Sequence, residues 1–230
     1  AGFTFNSATS ITATSPAGTG AVDVRVTTPG GTSAISAADQ FTYAGPPTVT
    51  SISPTSGPQT GGTTVIITGT NLSGATAVTF GATAATGFAV NSATQITATS
   101  PAGTGTVDIT VTTVGGTSAT SAADQFTYIP APTVTSISPT SGPGAGGTTV
   151  TITGTNFTGA TAVAFGATAA TGFTVNSATQ ITATSPAGTS TIDIRVTTAG
   201  GTSATSAADQ FTYIAAPTVT SISPTTGPAA

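Results

Sequence analysis

The chain has 230 residues and a formal net charge of −4, yet only 3% of its positions are charged: six aspartates, Arg25 and Arg195. It has no Glu, Lys, His, Cys, Met or Trp, which excludes imidazole bases, thiolate nucleophiles, zinc or iron–sulfur centres of the usual ligands, and disulfide staples. Two arginines cannot neutralise the phosphates on which nucleic-acid or anionic-lipid affinity depends, so neither is expected as a partner.

Gly and Pro are frequent, at 29 and 15 residues, but the chain is not of the disordered class. Disordered segments combine low hydrophobicity with high net charge. This one has a mean hydropathy of +0.31 and carries β-branched residues along its whole length. No run of eighteen apolar residues suggests a membrane helix, and no direct membrane insertion is expected. The chain starts with neither Met nor a secretion signal, and reads as a window on something longer.

Self-comparison sets the organisation. The segment PTVTSISPT begins at Pro47, Pro132 and Pro217, a spacing of 85 residues each time. Residues 47–131 and 132–216 align without a gap and differ at 12 positions, so 73 of 85 are identical. Residues 1–46 match the second half of the unit, with Asn6, Asn91 and Asn176 in register, and residues 217–230 match its opening. The expected domains are therefore a partial repeat at 1–46, complete repeats at 47–131 and 132–216, and the start of another at 217–230. A period this long suits a string of separately folded domains better than a helical solenoid.

Within the first complete unit, period-2 alternation between turn signals predicts about seven short strands and no helix. In chain order their inward residues are Val49 and Ile52; Val65 and Ile67; Val78 and Phe80; Phe88 and Val90; Ile96 and Ala98; Val107, Ile109 and Val111; and Phe126 and Tyr128. Differences between the units follow the same alternation. Ile66 becomes Thr151, Thr79 becomes Ala164 and Thr110 becomes Arg195 at outward positions, whereas Val107 to Ile192 and Leu72 to Phe157 stay apolar at inward ones.

The motif string PTVTSISPTSGP, GGTTV-x-ITGTN, AV-x-FG, QITATSPAG, VTT-x-GGTS and FTY resembles the IPT/TIG domain over both complete repeats. The resemblance implies an all-β immunoglobulin-like sandwich of two antiparallel sheets, repeated in tandem. It brings no catalytic residues and no cofactor. The family occurs in receptor ectodomains, transcription factors, secreted polysaccharide enzymes and large bacterial surface proteins. The cysteines of the receptor versions and the basic surface of the DNA-binding versions are both absent here.

The aspartates are the only acids, two per unit: Asp108 and Asp124, then Asp193 and Asp209, with Asp23 and Asp39 at the start. Asp108 falls on the outward face of a strand and Asp124 in a turn-like stretch, which points to turn bonding and solubility. Calcium at Asp108, Asp124, Asp193 and Asp209 is a weak alternative, because two acids sixteen residues apart fall short of the clustered oxygens calcium takes. The Gly142–Gly147 stretch lacks the lysine of a phosphate loop. Asn71 and Asn156 open N-x-S/T triplets, but their place in the GTN element assigns them to a turn. Phe and Tyr follow the core alternation and form no sugar platform.

What remains is a non-enzymatic role. The short links Tyr43-Ala44-Gly45-Pro46-Pro47 and Tyr128-Ile129-Pro130-Ala131-Pro132 allow little slack, predicting a semi-rigid spacer, stalk or filament-forming segment of a bacterial extracellular or cell-surface, adhesin-like protein. Its expected partners are neighbouring repeats and other copies of itself. The alternative is an accessory polysaccharide-binding module of a secreted enzyme, with a polysaccharide or cell-surface ligand as partner.

Overall fold

The computed structural model describes residues 2–228. By contact these form two compact units, one of Ala1–Thr55, Thr64–Pro101 and Val107–Phe126 and the other of Ser56–Thr63, Ala102–Thr106 and Thr127–Ala230. Strands dominate throughout. The helical segments among the described residues are three short 3-10 turns, Ala37–Asp39, Ala122–Asp124 and Ala207–Asp209.

Residues 47–131 build two sheets. The first runs in the order Gly87–Ser92, Gln95–Thr99, Thr64–Thr70, Thr48–Ser53, all antiparallel. The second runs Thr83–Ala84, Ala77–Phe80, Gly105–Thr113, Gln125–Ile129, Ser56–Pro58, with Gly116–Thr117 folded back on Gly105–Thr113. The seven expected strands are all present, joined by three pieces of two or three residues. One pairing departs from the expected antiparallel pattern: Thr127–Ile129 runs parallel to Ser56–Pro58. The chain leaves the first sheet after Ser53 and joins the edge of the second, so the opening segment serves both.

Thr64–Thr70 shows why the sequence folds this way. Val65, Ile67 and Gly69 are buried while Thr64, Ile66, Thr68 and Thr70 face outward, the two-residue period of a pleated strand. Val65 and Ile67 stand opposite Ala98 and Ile96 in the same sheet, and Ile109, Val111, Phe80 and Phe126 of the second sheet are likewise buried. The rings of Phe80 and Phe126 pack edge to face at 5.3 Å, a geometry aromatic pairs favour. Residues 132–216 repeat this plan with Phe165 and Phe211 at 5.5 Å, and Phe157 fills the place of Leu72, both fully buried.

The core alternation fails at one strand. Phe88 and Val90, expected inward, are 38% and 39% exposed. Gly87–Ser92 is an edge strand, paired on one side only, so its apolar face is covered at the rim alone. The counterparts Phe173 and Val175 are half-buried against the core.

Candidate functional site

Each complete repeat concentrates its polar specialisation at two places. One is the junction with the preceding linker. Asn71 and Asn156 adopt left-handed backbone angles, φ 55° and 60°, which asparagine tolerates better than most residues. In that conformation their side-chain amides reach back and donate to the linker carbonyls, Asn71 Nδ2 to Pro46 O at 3.1 Å and Asn156 Nδ2 to Ala131 O at 3.0 Å. Leu72 and Phe157, the middle residues of the N-x-S/T triplets, are driven fully into the core. The asparagine of the triplet therefore sits in a turn, as expected, and in addition anchors the linker.

A second contact closes on the same linkers. A Cβ on Gly115 would overlap the Gly45 carbonyl, and one on Gly200 would overlap the Pro130 carbonyl. Glycine is needed at both places because the hairpin turn lies directly against the linker backbone.

The other place is the acid pair. Ser121 and Asp124 form a reciprocal capping box around Ala122–Asp124: the Ser121 N–H donates to Asp124 Oδ2 at 2.9 Å and the Ser121 hydroxyl accepts from Ala123 N at 3.2 Å. Ser206 and Asp209 do the same, with Ser206 N to Asp209 Oδ2 at 3.0 Å. Asp124 and Asp209 are fully buried, so turn bonding holds for both but surface solubility does not. Strand pairing sets each beside its partner sixteen residues earlier: the half-buried Asp193 lies opposite Gln210, the residue after Asp209, and the half-buried Asp108 stands on the strand that pairs with Gln125–Ile129, which begins directly after Asp124. Burial pushes the Asp124 and Asp209 carboxyls above the usual aspartate range; the serine backbone N–H opposes this, and the neighbouring aspartate charge adds to the rise.

Two carboxylates fall well short of the six to eight oxygens calcium takes. Among the described residues no group of three or more Asp, Glu, His or Cys comes together. The signal that could have placed Asp124 is its spacing from Ser121, the S-x-x-D form of a capping box; nothing in the sequence pairs it with Asp108.

The aromatic residues of the complete repeats are mostly internal. Phe80, Phe126, Phe165, Phe211, Tyr128 and Tyr213 are all buried. Tyr213 donates its hydroxyl to the Pro186 carbonyl at 3.0 Å. Burial raises the phenols of Tyr128 and Tyr213. No described helix is long and apolar enough to cross a membrane.

The model of the IPT/TIG domain family matches residues 47–128 and 132–213. The chain belongs to the IPT/TIG family. Both matches cover the sandwiches described above, and the IPT/TIG copies share the Asn anchor and the aspartate pair. A comparison with curated proteins finds no match.

Among solved structures, this IPT/TIG chain is similar to the plexin A4 extracellular region, at 25% identity with a TM-score of 0.45 over 77% of this chain and 16% of that one. It is similar to SGBP-B from a complex xyloglucan utilization locus in Bacteroides uniformis, at 24% identity and a TM-score of 0.32 over 68% of this chain and 47% of that one. It is also similar to the Yersinia pseudotuberculosis adhesin InvE, at 15% identity and a TM-score of 0.30 over 73% and 58%. The chain thus spans less than two thirds of each of these proteins.

Proposed function

We propose that these IPT/TIG repeats are a non-enzymatic spacer, a stalk or filament-forming segment of a bacterial extracellular or cell-surface protein. The observation that carries this reading is the linker anchor, made by the same residue type with the same geometry in both complete repeats: Asn71 to Pro46 and Asn156 to Ala131. A module selected to bind a ligand would invest its polar specialisation in an exposed face; here it is invested in holding the chain between repeats. The buried aromatics leave the complete repeats with few exposed rings on which a sugar could stack. The near absence of charge gives copies of the chain little reason to repel one another.

Removing residues 132–216 from the parent protein tests this reading. A spacer should lose one repeat of reach while whatever it carries keeps its activity. Loss of polysaccharide or cell-surface binding with unchanged reach would instead assign the repeats to recognition.

A further inference from the structure

We infer that Asp108 with Asp124, and Asp193 with Asp209, are proton-binding sites: each pair of carboxyls shares one proton inside its sandwich and couples the stability of the repeat to pH.

The geometry begins with an oxygen that has no donor. Asp124 Oδ2 is taken by the Ser121 N–H at 2.9 Å and faces its hydroxyl at 3.4 Å, whereas Oδ1 is buried with no hydrogen-bond partner. Asp209 repeats this, with Oδ2 held by Ser206 and Oδ1 buried without a partner. A buried carboxylate oxygen without a donor is costly. The neighbouring acid on the paired strand is another carboxyl: Asp193 lies opposite Gln210, next to Asp209, and Asp108 holds the equivalent place beside Asp124, and two ionised carboxylates repel. A single proton resolves both problems at once, because the protonated member donates an O–H to the ionised one.

No other charge can do the work. The 3-10 turns pack against Thr48–Ser53 and Thr133–Ser138, which carry no ionisable side chain. Turn Ala207–Asp209 also touches Thr191–Thr198, whose charged groups are Asp193 and Arg195. Arg195 turns its Nε to the Ser203 carbonyl at 2.9 Å, and residue 110 of the first repeat is Thr. Tyr128 and Tyr213, on the strands that follow the turns, are buried phenols that remain neutral in this range.

The sign follows from where the proton binds more tightly. The folded pair holds it more tightly than the unfolded chain, so its stabilisation is complete in acid, below the ordinary aspartate value, and is lost as pH rises through the pair's upper titration step. Only O–H bonds change: each pair releases one proton to water.

The test uses the whole chain in chelator, with aspartate carboxyl-labelled NMR and thermal melting from about pH 4 to about pH 9. Asp124 and Asp209 should titrate above the ordinary value of about 3.9. The melting midpoint should fall from the acid to the alkaline end. The D124N/D209N variant should show a flat profile, because each Asn keeps an oxygen for the serine N–H and offers an N–H to the partner carboxylate. Titration of Asp124 and Asp209 within the ordinary range in the wild-type chain would overturn the proposal, whether or not the variant folds. So would a midpoint that is flat or rises with pH, or one restored at neutral pH by added calcium, which would put a cation in the proton's place.

Discussion

The hydroxyls of Thr79 and Thr110 meet across neighbouring strands at 2.8 Å, and their counterparts in the next repeat, Ala164 and Arg195, occupy the same directly opposed register. Two outward differences between the repeats are therefore one coupled change. Arg195 itself turns to the other side of its strand, where its Nε donates to the Ser203 carbonyl at 2.9 Å.

Placing T110R alone in the first repeat should destabilise it, because Thr79 loses its hydroxyl partner. The T79A/T110R pair should recover most of the loss. We expect a coupling of about 0.5–1 kcal/mol from a double-mutant cycle in urea; strictly additive effects would separate the two positions.

Ser190 sits at φ 65°, where the preceding repeat has Gly105 at φ 69°. A side chain there works against the backbone, by about 1–2 kcal/mol for a non-glycine residue. The S190G variant should therefore stabilise the second repeat by roughly 1 kcal/mol, even though it removes atoms and adds no contact. An unchanged or lower urea midpoint would show that Ser190 is compensated.

The anchor at Asn156 combines a backbone and a side-chain role, and two variants separate them. N156G keeps the left-handed turn but loses the 3.0 Å bond to Ala131, for an expected loss of about 0.5–1.5 kcal/mol. N156A loses the bond and strains the turn, and should lose about 1–2 kcal/mol more. In both, amide exchange in the linker Ile129–Pro132 should quicken while the core amides of Val150 and Ile152 stay protected.

Much of this fold was legible from alternation alone. The pattern in Thr64–Thr70 named its buried and exposed residues correctly because both sheet faces there are well defined. Phe88 and Val90 were misplaced for a physical reason: an edge strand obeys the same alternation as a central one, but whether its apolar face is covered depends on neighbours the local pattern does not encode. The site was less legible. Asn71 could be assigned to a turn from its motif, but its hydrogen bond spans 25 residues. Asp108 and Asp124 are set side by side by the pairing of Gly105–Thr113 with Gln125–Ile129, and their sixteen-residue spacing carries no trace of that placement.

Alkaline pH offers an independent probe of the second sheet. Burial holds the phenols of Tyr128 and Tyr213 above their ordinary range. Their stabilisation is therefore complete below the ordinary tyrosine value of about 10 and lost as pH rises through the elevated one. Phenolate absorbance from these two residues should appear together with loss of β-sheet circular dichroism. Y213F should delay alkaline unfolding of the second repeat, while at neutral pH it should lose about 1 kcal/mol with the bond to Pro186.

Single-molecule force extension of the chain tests the spacer reading most directly. Repeats that carry extension as separate mechanical units should unfold one at a time, each complete repeat releasing the contour of 85 residues, about 280–300 Å before the folded length is subtracted. Two such events of equal length, which return after relaxation, are the expected result. Featureless extension, or a single event releasing both repeats together, would contradict a chain of independently folded spacer modules.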